Sequence, residues 1–186
     1  MQSKKLKLKS KNSGFTLIET LVAIFIFSFS ILGIIVISSH GVGDVQYAKN
    51  RLIASYLAQE GIELTRNIRD TTVMGNTGWT DFVNLMIPTC QDGCSLDYTF
   101  WMNGGTPPFT SCVSPIDCLV YYDDSPGGKG YIQDSNFSAT KFYRTLRAQD
   151  LSADELNIIS EVSWTQGSST TVYSVKAEEN LFNWIL

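Results

Sequence analysis

The stretch SGFTLIETLVAIFIFSFSILGIIVI, Ser13 to Ile37, decides how the rest of the chain is read. From Phe15 to Ile37 it is almost wholly apolar and contains no proline. As a helix it would be roughly 34 Å long, enough to cross a hydrocarbon core of about 30 Å. It holds one carboxylate, Glu19, and four hydroxyls, Thr16, Thr20, Ser28 and Ser30, which can bond back to a helix backbone. Lys4, Lys5, Lys7, Lys9 and Lys11 precede it in a segment with no acid. Basic residues ahead of an apolar span put the N-terminus in the cytoplasm and the rest of the chain outside it. A cleaved secretory signal would have an apolar core of about 7–15 residues and a small-residue cut site after it. This core is longer, and Ser38-Ser39-His40-Gly41 is a poor cut site, so the segment reads as retained.

The chain has 186 residues, room for one membrane segment and one modest domain. Its mean hydropathy of zero averages an apolar start with a polar remainder. The net charge of −4 is also an average. Without the five leader lysines, the other nine basic residues face 18 acids. An acidic body has no electrostatic footprint for nucleic acid. All four cysteines, Cys90, Cys94, Cys112 and Cys118, lie on the exported side. An even count there predicts two disulfides, with three connectivities open. Cys90–Cys94 with Cys112–Cys118 is the simplest pairing. The spacings are unlike a zinc knuckle, and His40, the only histidine, is far away. No metal site, cofactor or catalytic constellation is predicted: there is no phosphate-binding loop and no nucleophile motif. Asp123-Asp124 before Pro126-Gly127-Gly128 falls short of a calcium ligand set and reads as a turn.

Beyond the span, Val45, Ala48, Leu52, Tyr56, Leu57, Gly61, Leu64 and Ile68 recur at helical spacing and predict a core-facing stripe over residues 44–70. Glu63 with Arg66, and Arg66 with Asp70, are placed for local ion pairs. Gly61 weakens the helix, and its return is a close approach by another element. Gly33 or Gly41/Gly43 is a possible kink. Residues 71–88 read as a loop with short structure, anchored by Trp79 and Phe82. A strand is predicted over 95–102, within a stretch rich in turn residues that includes Gly104-Gly105 and Pro107-Pro108. Further strands are predicted at 119–122, 142–149, 156–165 and 170–177, with Gly167-Ser168-Ser169 as a hairpin loop. Trp79, Trp101, Trp164 and Trp184 read as core or loop anchors. Leu181, Phe182, Trp184 and Ile185 read as an apolar C-terminus docked on the domain. The fold class is α+β, a long N-terminal helix on an antiparallel sheet. The expected divisions are a leader at 1–14, a membrane or filament-core helix at 15–37, its amphipathic continuation at 38–70, and an extracytoplasmic β-rich domain at 71–186.

Residues SGFTLIETLVAIFIFSFSILG resemble the N-terminus of type IV pilins and pseudopilins, the class III signal peptide. In that family a basic leader ends in glycine and is followed by Phe or Met, a Thr-Leu-Ile/Val-Glu run and an apolar helix. Gly14, Phe15, Thr16-Leu17-Ile18 and Glu19 match in order. Arg51–Asp70 and Val162–Trp184 look like the helix continuation and final strands of minor pilins and general-secretion pseudopilins. The resemblance implies that a prepilin peptidase cuts between Gly14 and Phe15 and methylates the new Phe15 amine. It implies an inner-membrane assembly platform, a separate ATPase motor, and bundling of the apolar helices with those of other pilin or pseudopilin subunits. In such a filament Glu19 neutralises a neighbour's Phe15 amine. It also places the chain in the inner membrane before assembly and on an extracytoplasmic filament after it.

The residues have their own physical reading. Glycine at Gly14 leaves the backbone free of a side chain where a peptidase must hold it extended. Thr16-x-x-Glu19 has capping-box spacing, and an acid in a first helical turn suits the helix dipole. An acid inside a membrane also costs free energy, which an intersubunit partner would offset. A structural filament subunit is therefore expected. The alternative is a signal-anchored extracytoplasmic binding domain that keeps its leader and never polymerises.

Overall fold

The computed structural model describes residues 14–75, 78–96, 109–128, 130–167 and 170–184. Helix α1 runs from Leu17 to Met74 and α2 from Gly78 to Cys90. The strands are β1 (Cys94–Leu96), β2 (Phe109–Ser111), β3 (Leu119–Asp123), β4 (Gly130–Ile132), β5 (Ser138–Ser152), β6 (Glu155–Thr165) and β7 (Val172–Phe182). A short 3₁₀ helix, Pro115–Cys118, leads into β3. The protein is one long N-terminal helix and a seven-stranded antiparallel sheet, an α+β arrangement of pilin type.

Alternation built the long strands. In β5, Phe142, Arg144, Leu146 and Ala148 are buried and the residues between them face outward. In β6 the buried set includes Leu156, Ile158, Ser160, Val162 and Trp164. β5 is the sheet's spine. On one side it pairs with β6 from Phe142↔Trp164 to Ser152↔Glu155. On the other it pairs with β3 near its start and with β1 at Cys94↔Leu146. β2 and β4 extend those two flanks, and β7 completes the far edge against β6.

The chain divides into two compact units between Gln46 and Tyr47. The first is apolar helix whose described side chains are all exposed. Helical backbone continues through Gly33, Gly41 and Gly43. In the second unit the rest of α1 packs on the sheet. One core cluster holds Ala54, Leu57 and Ala58 against Val120, Phe142, Val162 and Trp164. The other joins Ile62 and Ile68 to Phe82 and Met86 of α2 and to Leu146, Ile158 and Leu181 of the sheet.

Several expectations need correction. Of the predicted α1 stripe, Leu57, Gly61 and Ile68 are buried and Leu64 is half-buried, but Val45, Ala48, Leu52 and Tyr56 are exposed. The buried face runs instead through Asn50, Ala54, Ala58, Ile62 and Thr65. The reason lies at Gly61, where an added Cβ would stand 2.4 Å from Ser160 Oγ and 3.2 Å from Leu146 Cδ2. So close an approach suits small residues at Gly61, Ala54 and Ala58, with Leu57, Ile62 and Ile68 buried beside them. Gly61 is thus the close contact its position foretold.

Residues 78–90 are helix rather than loop: Trp79, Phe82, Met86 and Cys90 form its buried face, and Trp79 Nε1 donates to the Ala153 carbonyl at 2.9 Å. Arg66 pairs with Glu63 at 2.7 Å as expected and also with Glu179 of β7, while Asp70 pairs with Arg69. Trp164 is core, but Trp184 is half exposed, and Leu181 and Phe182 are the end of β7. Within the 95–102 strand only Cys94–Leu96 is seen. Its remainder, with Trp101, Gly104-Gly105, Pro107-Pro108, Ser168-Ser169, Ile185 and the leader to Ser13, lies outside the described residues.

Candidate processing and assembly segment

Gly14, Phe15 and Thr16 precede the helix as non-helical backbone. The helix is set by Thr16, whose carbonyl accepts the N–H groups of Glu19 (3.1 Å) and Thr20 (3.2 Å). The Thr16 hydroxyl also accepts from the Glu19 N–H at 3.4 Å, the N-cap half of a capping box. The Gly14–Phe15 bond is therefore outside the ladder. Nothing lies within 4 Å of where a Gly14 Cβ would be. Among the described residues no contact demands glycine there.

Phe15, Leu17 and Ile18 are largely exposed, as is every large apolar residue through Ile37. Among the described residues, α1 is the one helix long and apolar enough to cross a membrane. Its hydroxyls are internally satisfied. Thr20 Oγ1 donates to the Leu17 carbonyl at 2.8 Å, Ser28 Oγ to Ile24 at 2.8 Å and Ser30 Oγ to Ile26 at 2.9 Å. Glu19 differs: among the described residues, no side chain pairs with its carboxylate. The segment thus presents a wholly uncovered apolar surface with one anionic group in its first turn. Chemically, such an acid can accept hydrogen bonds from, or neutralise, a cation brought by another molecule.

The four cysteines form two disulfides, Cys90–Cys94 and Cys112–Cys118. The first ties the end of α2 to the start of β1 and is fully buried. The second closes the loop carrying the 3₁₀ helix. At the Asp123 turn, Ser125 donates through its N–H (3.1 Å) and its hydroxyl to Asp123 Oδ1. Among the described residues no cluster of His, Cys, Asp and Glu suits a metal ion. The His40 side chain lies outside the described residues.

Two features were not anticipated. Arg144 is buried between α1 and the sheet, giving Nη1 to Glu60 at 3.0 Å and Nε to Gln133 Oε1 at 3.2 Å. Burial pushes its guanidinium below the ordinary value, and the Glu60 charge opposes that. Strand parity was the available signal, since Arg144 sits in phase with Phe142 and Leu146. The other feature is a cleft of about 420 Å³ on the outer sheet face, between the Cys112–Cys118 loop and Tyr143, Thr145 and Ser163. Beside it Arg147 donates to Glu161 at 2.9 Å. Burial alone would raise the Glu161 pKa. Hydrogen bonds from Arg147 and Ser174, with the Lys176 charge, outweigh it and hold the carboxyl below its ordinary value.

Residues 9–35 match the family model of the prokaryotic N-terminal methylation motif, the class III signal. The match supports a type IV pilin-like protein, and the motif belongs to structural rather than catalytic proteins. With the apolar helix it points to a membrane-anchored protein. No curated protein and no solved structure matches the chain.

Proposed function

We propose that the protein is a structural subunit, a minor pilin or pseudopilin, of a type IV pilus or a type II secretion filament. A prepilin peptidase removes residues 1–14 and methylates the Phe15 amine. The mature helix leaves the bilayer at an inner-membrane assembly platform and packs against the helices of other subunits. Glu19 meets the Phe15 amine of a neighbour, and the β-rich body forms part of the filament's outside.

One coincidence supports this most directly. The methylation-motif match covers the segment where, among the described residues, the backbone is non-helical at the bond proposed to be cut, the apolar side chains are exposed, and the Glu19 carboxylate has no side-chain partner. Intersubunit packing supplies what each of these lacks. It covers apolar surface worth about 25 cal/mol per Å², and it pairs an acid that is costly to leave alone in a membrane.

Mass spectrometry of the mature N-terminus tests it. A chain beginning at N-methylated Phe15 is the expected result. An intact Met1 or Gln2 terminus would sink the filament reading and leave a signal-anchored extracytoplasmic domain in its place.

A further inference from the structure

The loop from β4 to β5 carries the one Asn-x-Ser/Thr triplet in the chain, Asn136-Phe137-Ser138. With no proline at its centre, such a triplet is the acceptor signature for N-linked glycan transfer on exported surfaces. Short triplets recur by chance, so placement has to decide. Asn136 and Ser138 are both exposed, while Phe137 between them is half-buried. The Phe137 N–H donates to the Asp134 carbonyl at 3.4 Å, closing a turn. Ser138 is the first residue of β5, opposite Tyr122 of β3. The acceptor therefore stands just off the ladder on an exposed corner, with the hydroxyl residue at the ladder's start. Neither Asn136 nor Asp134 belongs to a core cluster, so a bulky group there displaces no packing.

The amide itself is oriented. Asn136 Nδ2 donates to Asp134 Oδ1 at 2.8 Å, and the same oxygen accepts the Asn136 backbone N–H at 2.9 Å. An amide nitrogen is a weak nucleophile because its lone pair is delocalised into the carbonyl. A carboxylate on one of its hydrogens draws that proton away and leaves more electron density on nitrogen. Asp134, two residues before the acceptor, places such a carboxylate on the atom that would react.

We propose that Asn136 is an N-glycosylation acceptor. Under a membrane transferase, Nδ2 attacks the anomeric carbon of a saccharide carried as a lipid-linked diphosphate ester. The bond from that carbon to the diphosphate oxygen breaks and the Nδ2–carbon bond forms. Nδ2 gives up one proton, which passes to solvent or to the departing lipid diphosphate; nothing is oxidised or reduced. The proposal rests on the proposed export of the body, because the acceptor must face the compartment where such transfer occurs.

Glycopeptide mass spectrometry of the full chain, isolated from the cells that naturally make it, tests this. Added saccharide mass is expected on the peptide containing Asn136. It should vanish in Asn136→Gln and in Ser138→Ala, persist in Ser138→Thr, and fall several-fold in occupancy in Asp134→Ala. Ser138→Ala leaves the asparagine in place, and an unchanged unfolding midpoint excludes misfolding as the cause of the loss. Unmodified Asn136 on a chain that begins at Phe15 overturns the proposal and leaves the filament reading standing. Unmodified Asn136 on a chain that begins at Met1 overturns both. Modified Asn136 on a Met1 chain upholds the acceptor and sinks the filament. Mass that survives Ser138→Ala also overturns the proposal, because the triplet is then not what is recognised.

Discussion

Gly61 is the residue at which helix and sheet come closest. In an exposed helix interior, replacing glycine by alanine stabilises by about 1 kcal/mol. Here the added methyl would meet Ser160 Oγ at 2.4 Å, with Ser160 Cβ and Leu146 Cδ2 both at 3.2 Å. The hydroxyl is the nearest of the three, and the two carbons move only if the seam opens. Overpacking a seam of this kind costs about 1–3 kcal/mol, so Gly61→Ala is expected to lose stability although its helix propensity rises. The Ser160 hydroxyl is buried with no hydrogen-bond partner among the described residues. Ser160→Ala should therefore be neutral or slightly stabilising, and the double variant should recover part of the Gly61→Ala loss. Denaturant unfolding of all three variants measures this. A Gly61→Ala chain as stable as its parent, or no recovery in the double variant, would refute the close-contact account. The same seam explains Ala54, Ala58 and Thr65, small residues that carry little weight in a search for large apolar side chains.

At the scale of elements, legibility followed the number of constraints each segment carries. The long strands β5, β6 and β7 were readable because a half-buried strand alternates at every second residue, and ten or so residues repeat that signal many times. The strand ends were less readable: β7 continues to Phe182, where the sequence reads as Glu, Glu and Asn. Helix α2 was missed because Gly75 and Gly78 signal a turn and Pro88 argues against helix. Yet Trp79, Phe82, Met86 and Cys90 already had helical spacing, and Pro88 sits in the last turn. The phase of α1 is hard to read because small and polar residues, Asn50, Ala54, Ala58 and Thr65, form part of its buried face. The N-terminal motif was legible, and its match spans residues 9–35, since its constraints are local: a span length, a charge step and one acid.

The Cys90–Cys94 bridge gives the element scale its test. It closes a short loop, four residues apart in sequence, so the chain-entropy model assigns it only about 2 kcal/mol. Its effect should still be local and visible, because it fixes the end of α2 to β1. Replacing both cysteines by alanine should lower the unfolding free energy by about 2 kcal/mol. It should also speed amide exchange in α2 more than in β6. Equal acceleration throughout the body would mean that the bridge does not act through this junction. Peptide mapping with and without reductant checks the pairing independently.

On the scale of the whole molecule, the two units set different tasks. The body from Tyr47 onward has its own core clusters, salt bridges and disulfides. The apolar unit before it has no buried side chain among its described residues, and its acids are Glu19 in the first turn and Asp44 near its end. Folding and assembly should therefore be separable by mutation. Glu19→Ala removes the N3 acid of the first turn, so a small loss of helix stability at that end, a few tenths of a kcal/mol, is the purely local effect. The body, whose cores do not include this residue, should unfold at the same denaturant concentration. The Gly14–Phe15 bond lies outside the helix, so the proposed cleavage there should continue. If Glu19 pairs across subunits as proposed, incorporation into filaments should instead fall by an order of magnitude or more, because a neighbour's Phe15 amine would lose its counter-charge in an apolar environment. Glu19→Asp, one methylene shorter, should restore part of that loss, and Glu19→Gln should restore little, since it keeps size but not charge. Comparing mature subunit in sheared filament with that left in the membrane separates the two effects. Normal incorporation of Glu19→Ala would show that the acid serves only its own helix. Failure of cleavage would show that Glu19 is read by the peptidase before any neighbour is met.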